Sequence, residues 1–188
     1  MTDLQDLILH RRSIRKFKDR LLTFEEKRAI LCSALVAPSS KNRRPCRLVL
    51  VEDREMINKL IRCKLIGTLP LETATWVLVV VADPTQSEAW IEDASIAAAF
   101  AQLQAEDLGL GSCWVQVRGR DYDEETSSSE YIKKLLEIPS QMEVECLLAF
   151  GEKDEERKPY SAEKLQIDKI HLNKWQHRPA WIEKTMTY

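Results

Sequence analysis

Long apolar runs are absent from this 188-residue sequence. The longest, Trp76–Ala82, is far short of the about 20 residues that a bilayer-spanning helix needs, so it reads as a buried strand and no membrane association is expected. Histidine is scarce: His171 and His177 stand six apart and His10 is remote, which leaves no metal-ligand spacing and no metal site to propose. The five cysteines (Cys32, Cys46, Cys63, Cys113, Cys146) are odd in number, widely spaced and never paired as CxxC. That excludes a disulfide framework and reads as reduced thiols in a cytoplasmic protein, mostly small core residues. No GxxxxGK(S/T), GxSxG or HExxH motif occurs. Gly109-Leu-Gly111 lacks the third glycine of a dinucleotide fingerprint and follows a helical pattern rather than a strand. There is no internal repeat and no low-complexity linker, so a single domain over residues 1–188 is expected. Met1–Asp6 is polar and acidic, so no secretory leader is read there. A general excess of basic charge is also missing. The net charge is −2 and the pI near 6.0, against a nucleic-acid binder.

What is present is a local concentration of charge. Residues 1–50 hold twelve Lys/Arg against five Asp/Glu, an excess of seven, so the remainder carries −9. Two segments account for most of it: HRRSIRKF at His10–Phe17 and APSSKNRRP at Ala37–Pro45. Planar guanidinium forks match the oxygens of phosphate, which makes phosphate the expected anion. In an extended segment alternate residues share a face, so Arg11, Ser13 and Arg15 point together. A run of arginines is also what a solvated face would show, but Ile14 and Phe17 alternate with the charges and imply packing. The short polar side chains of Pro38-Ser39-Ser40-Lys41-Asn42 can bond a planar ring edge or merely satisfy a turn.

The periodicities predict a short helix ending near Arg11. A second helix should start at Phe24 behind the capping box Thr23/Glu26, with Ala29, Ile30, Ala34 and Leu35 facing inward and Pro38 as its stop. Strands are predicted at Leu48–Val51, Trp76–Ala82, Ser112–Val117 and Val144–Phe150. Further helices are predicted at Arg54–Lys64 behind Asp53, at Ser87–Leu108 with Gly109 as terminator, and at Ser127–Glu137. Ser161–Tyr188 reads as helical and then irregular. Arg118–Glu130 reads as a surface loop. The helix at Ser87–Leu108 is apolar over most of its surface and rich in alanine, as a closely packed central helix would be. The order is α/β with helices outnumbering strands, without the regular alternation of a doubly wound sheet.

The ordered set of motifs is more specific than its parts. RRSIRKF, PSSKNRRP after one amphipathic helix, LVLVED, WVLVVVADP, WIEDASIAAAF, LGLGSCWVQV and LLAFGEKDEERKP together resemble the nitroreductase family of flavoproteins over nearly the whole chain. The resemblance implies an α+β sandwich: a central, mostly antiparallel sheet flanked by helices, in an intertwined homodimer with FMN at interface sites. It also implies reduction by NADH or NADPH and transfer to a small-molecule electron acceptor such as a nitroaromatic or quinone, with no nucleic acid involved. By position, Arg11, Arg12, Ser13 and Arg15 match the family's phosphate, ribityl and pyrimidine contacts. Pro38, Ser39, Ser40 and Asn42 match a turn lent by the partner subunit. Cys113-Trp114-Val115-Gln116 matches the strand end whose amides approach the flavin N5, with Val115 and Gln116 as the contacts. Lys158 matches a basic residue near the phosphate, and Lys64 is a further candidate. The chemistry is the cofactor's, so no catalytic side chain is named. A cation such as Arg15 beside the reduced ring would stabilise its negative charge.

The chain departs from the family pattern in three places. Arg44-Pro45-Cys46 stands where Gln-Pro-Trp is frequent, Tyr160 stands where a basic residue is common, and Asp53–Thr75 is short. These indicate a compact branch. They also leave open a non-catalytic, flavin-binding member of the same fold, and Cys46 as either a packed thiol or one accessible near the flavin.

Overall fold

A computed structural model of the chain describes residues 4–177. Its order is α1 (Leu4–His10), α2 (Phe24–Val36), β1 (Cys46–Val51), α3 (Arg54–Ile61), α4 (Pro70–Thr73), β2 (Trp76–Ala82), α5 (Trp90–Asp107), β3 (Leu110–Gln116), α6 (Ser128–Leu135) and β4 (Glu143–Glu152). The contacts divide the chain into two units, residues 1–157 and 158–188. All ten elements lie in the first. In the second, the described part holds short 3-10 turns at Ala162–Lys164 and Ile167–Lys169 and a His171–Trp175 ring contact at 4.2 Å. The helix expected after Ser161 is not there, and residues 178–188 lie outside the described residues.

Local chemistry sets the helix starts. Thr23 accepts from the Glu26 amide at 3.2 Å while Glu26 accepts from the Thr23 amide at 2.7 Å, and Ser127 and Glu130 repeat the reciprocal box ahead of α6. Asp53 caps α3 through the Met56 amide at 2.7 Å. Gly109 (φ +75°) ends α5 in the left-handed conformation that glycine adopts without strain. The helix expected from Ser87 starts only at Trp90, and two further expectations need correction. Leu35 was placed on the inward face of α2 but is 61% exposed, because α2 buries only Ile30 and Ala34. The helix over α3 stops at Ile61, and Lys64 lies in the loop beyond it.

The four strands form one antiparallel sheet in the order β1-β2-β4-β3, the α+β architecture expected. Period-2 alternation gives it two apolar faces. One buries Val77, Val79, Cys113, Val115, Leu147 and Ala149 with Ile57, Leu60 and Ile132 of the flanking helices. The other buries Trp76, Leu78, Val80, Leu148 and Phe150 against Ile30 of α2 and the alanines of α5. β2 is buried at every position, hence its unbroken apolar run. The register shifts between Val80 and Val81, leaving Glu145 of β4 without a partner on β2. Its buried carboxylate is met by Arg118 Nε at 2.8 Å.

An ion-pair network clasps the start of α2 to the end of β4. Arg20 bonds Glu26 and Glu152, and Lys18 bonds Glu152 at 2.7 Å. Hydrogen bonds from Arg20 hold Glu26 below its ordinary 4.5, and those from Lys18 and then Arg20 do the same for Glu152. Lowered carboxylates stabilise the fold fully above their unfolded values, and that stabilisation is lost as pH falls through the folded ones. The thermal midpoint should therefore fall as pH drops below about 4.5, and Glu26→Gln should flatten that decline. An equally steep decline in the variant would remove Glu26 from the account.

Candidate functional site

Residues 11–17 cross from the outer edge of β3 to the tip of β4. Ile14 N–H donates to the Ser112 carbonyl at 3.0 Å, and Lys18 N–H donates to the Glu152 carbonyl at 3.0 Å. Between these anchors Ile14 and Phe17 are buried on the sheet face. They lie over Gly111 and Gly151, cross-strand partners in β3 and β4. A Cβ on Gly151 would stand 2.7 Å from the Phe17 Cβ, and one on Gly111 would stand 2.9 Å from Ile14. The two glycines thus form a floor onto which the basic segment docks.

Docking sets Ser13 beside Ser112 and brings Arg15 Nη1 to the Ser13 carbonyl at 3.4 Å. Burial pushes the Cys113 thiol up, while the Arg15 guanidinium, the Ser13 hydroxyl and Arg11 pull it back. Strict alternation would put Phe17 on their face, yet Phe17 is buried with Ile14, so the segment is not a regular strand. Arg15 is also tied through its backbone, N–H to Glu155 Oε1 at 2.5 Å. Arg12, between them, lines a crevice of about 740 Å³ with His10, Lys18, Asp154 and Arg157.

Further along β3 the strand's open edge carries the next groups. In an antiparallel ladder a residue's N–H and C=O point to the same side. The Ser112 carbonyl faces outward to Ile14, so Trp114 and Gln116 also face outward, and the Gln116 carbonyl accepts from Lys64 Nζ at 2.6 Å. Val115 points its backbone into the ladder and buries its side chain in the core. The Gln116 side chain is held by Trp114 Nε1 at 2.8 Å and by the Arg118 carbonyl at 2.9 Å. Burial lowers the Lys64 pKa, and the nearby Arg120 adds to the effect.

The turn Pro38–Asn42 sits elsewhere, leading into β1 at the opposite edge of the sheet. Lys41, Asn42 and Arg44 all have positive φ (51°, 54° and 48°), a strained sequence of non-glycine residues. Asp93, only 3% exposed in the first turns of α5, holds it by accepting the Ser40 N–H at 2.7 Å and the Ser87 hydroxyl at 2.9 Å. Ser39 Oγ accepts from the Arg44 N–H and Asn42 Oδ1 from Arg44 Nε. Pro38, Ser39, Cys46 and Asp93 line a cavity of about 400 Å³. Burial, then Asp93, pushes the Cys46 thiol up to about 11, so this half-buried thiol at the cavity wall is a poor nucleophile.

The chain therefore places Arg11, Ser13, Arg15, Gln116 and Lys64 along the β3 edge. It keeps Pro38, Ser39, Ser40 and Asn42 in the turn that leads into β1, the opposite edge strand of the sheet. Lys158 opens the second unit. Two cavity-lining groups escaped the sequence reading. Asp93 had a visible signal, an acid beside Ala94 and Ala97 on the buried face of α5. Arg120, in a polar stretch, had none.

A model of the Nitroreductase family matches residues 8–68 and 68–152. A protein of Archaeoglobus fulgidus named "Putative NADH dehydrogenase/NAD(P)H nitroreductase" is 33% identical over 180 residues, covering 93% of this chain and all of that one. An FMN-dependent nitroreductase structure from Clostridium difficile R20291 superposes with a TM-score of 0.88 at 44% identity, over 90% of this chain and 98% of that one. An NADPH:FMN oxidoreductase from Vibrio harveyi shares the fold, with a TM-score of 0.78 at 24% identity over 97% of this chain and 82% of that one.

Proposed function

The chain belongs to the nitroreductase family, and on that premise we propose that it is an FMN-dependent oxidoreductase carrying electrons from NADH or NADPH to a small acceptor. The observation that carries this reading is the docked segment. It lays Arg11, Ser13 and Arg15 along the open backbone edge of β3, where Ser13 bridges Ser112 and the Ile14 N–H bonds the Ser112 carbonyl at 3.0 Å. That donor set fits the dianionic phosphate and polar tail of FMN. When bound, FMN supplies an N5 that accepts hydride and a ring that passes electrons on.

The protein's own part is to hold and to exclude. Arg11, Arg12 and Arg15 would neutralise the phosphate and the ring's charge, with Lys158 as a further cation. The outward groups of Gln116 and the amine of Lys64 would meet the ring, while Val115 keeps the strand rigid beneath it. The turn Pro38–Asn42 stands at the other edge of the sheet, so one protomer carries two half-sites and a homodimer would complete both. The exposed Phe24, Leu35 and Val36 of α2 and Phe100 of α5 supply apolar surface for that contact. We place this activity in one domain spanning the chain and, given five free thiols, in the cytoplasm. No helix among the described residues is long and apolar enough to cross a membrane.

The decisive measurement is optical. Protein reconstituted with FMN should be yellow and should bleach anaerobically with NADH or NADPH. Failure to bind FMN ends the proposal, and bound FMN that neither nicotinamide reduces assigns a non-catalytic role. Arg11→Ala should weaken FMN binding by about 1.5–3 kcal/mol, the range for hydrogen bonds to charged groups. An unchanged dissociation constant in a fluorescence titration would take Arg11 out of the phosphate site.

A further inference from the structure

Beyond the end of β3, a crevice of about 420 Å³ is lined by Lys64, Leu65, Ile66, Gln116, Arg120 and Asp121, with Gly67 at its rim. Three features set it apart from an ordinary surface hollow. The first is charge: two cations converge on it and face a single carboxylate, Asp121. Arg120 is close enough to Lys64 to act on its titration. The second is availability. Among the described residues, the exposed Arg120 guanidinium makes no hydrogen bond or salt bridge with the protein, whereas nearby Arg118 is committed to Glu145. Lys64 gives one of its three donors to the Gln116 carbonyl. The third is a fixed mount. Arg120 N–H donates to the Val117 carbonyl at 3.0 Å and its own carbonyl accepts from Ser128 at 2.8 Å, so the side chain projects from a pinned turn.

The lip of the crevice has the opposite character. Leu65 and Ile66 are 91% and 83% exposed, side by side, next to Lys64. A ligand matching this surface has an apolar body to cover the pair and an anionic group to reach the cations. The crevice adjoins Gln116, the strand position that the flavoenzyme reading sets beside the ring, so it is suited to the molecule that exchanges electrons there.

We propose that Lys64 and Arg120 form an anion clamp that selects, as electron acceptor, a flat organic molecule bearing a carboxylate or comparable monoanionic group. The assignment rests on the flavoenzyme reading for the acceptor's role, but the clamp itself is a binding property and is tested as one. FMN-reconstituted protein is titrated calorimetrically with sodium benzoate and with benzamide, which share a ring and differ in charge. Benzoate should bind about tenfold more tightly, consistent with a charge-assisted hydrogen bond exceeding a neutral one. Arg120→Ala should remove that advantage while leaving benzamide binding and FMN affinity unchanged, and Arg120→Lys should keep part of it. In the acceptor assay, 4-nitrobenzoate should lose about tenfold in kcat/KM on Arg120→Ala and 4-nitrobenzamide should not. Equal binding of benzoate and benzamide by the parent protein, or selectivity undiminished in Arg120→Ala, overturns the clamp. Selective weakening of NADPH relative to NADH in Arg120→Ala, with benzoate unaffected, also overturns it, because the cations would then read a nucleotide phosphate. A protein that binds no FMN yet discriminates benzoate through Arg120 refutes the flavoenzyme reading and leaves the clamp standing.

Discussion

Gly151→Val should cost about 3 kcal/mol of stability, the upper end of what overpacking a dense site costs, and should abolish tight FMN binding although Gly151 touches no proposed ligand group. The reason is spatial. Even a single Cβ at Gly151 would sit 2.7 Å from the Phe17 Cβ and 2.9 Å from its ring, distances that real side chains do not reach. Phe17 is 4% exposed and its backbone on either side is pinned to β4 and α4, by Lys18 N–H to Glu152 and by Phe17 N–H to Thr73 Oγ1 at 3.1 Å. The clash therefore cannot be relieved by a rotamer change and must lift the segment. Lifting it separates Arg11, Ser13 and Arg15 from the edge of β3, where Ser13 bridges Ser112. The check is a double-mutant cycle by chemical denaturation with Gly151→Ala and Phe17→Ala. Because Phe17→Ala removes the ring atoms that an alanine at 151 would meet at 2.9 and 3.0 Å, although it keeps the Cβ at 2.7 Å, the pair should cost less than the sum of the singles by at least about 0.5 kcal/mol. Strict additivity would show that the glycine floor does not set the docking of the basic segment.

That floor also marks where the sequence ceases to be readable. The central strand Trp76–Ala82 was legible to the residue, since burial on both faces leaves an uninterrupted apolar run and Asp83-Pro84 closes it. The capping box at Thr23/Glu26 located the start of α2 because both halves of the motif are local. Strand alternation accounted for only part of the placement of Arg11, Ser13 and Arg15, because Ile14 and Phe17, three apart, are both buried and the segment is not a regular strand. Non-local facts were not legible. Nothing in LGLGSC or LLAFGE shows that Gly111 and Gly151 are partners across two strands or that a third segment lies over them. Leu35 fits the helical period and is nonetheless exposed, because which turn of α2 meets the sheet depends on α5. Arg120 sits in a polar stretch whose composition indicates only a loop. Its relation to Lys64 arises because the loop after α3 and the turn after β3 meet at one end of the sheet.

Asp93→Ala should destabilise the fold by about 3 kcal/mol, combining a lost charge-assisted hydrogen bond with a buried donor left unpaired, whereas Asp93→Asn should cost less than half as much. Asp93 is the acid that ties the start of α5 to the strained turn, and two donors depend on it: the Ser40 N–H at 2.7 Å and the buried Ser87 hydroxyl at 2.9 Å. Its position in the first turns of α5 places negative charge near the positive end of the helix dipole. Three of the four residues Lys41–Arg44 hold positive φ, a conformation that persists only while neighbouring contacts over-determine it. Alanine at 93 removes the anchor and lets those residues relax to ordinary backbone angles. An asparagine keeps an oxygen for the Ser40 N–H and presents an amide that the Ser87 hydroxyl can accept, so the turn should survive. The two variants therefore separate the hydrogen-bonding role of Asp93 from its charge. If Pro38–Asn42 of one protomer completes the flavin site of the other, Asp93→Ala should also lose FMN at protein concentrations where the parent retains it, and Asp93→Asn should keep it. Thermal unfolding followed with and without saturating FMN gives both results from one series. Equal loss of stability in the alanine and asparagine variants would make the charge, rather than the geometry of the turn, the decisive property.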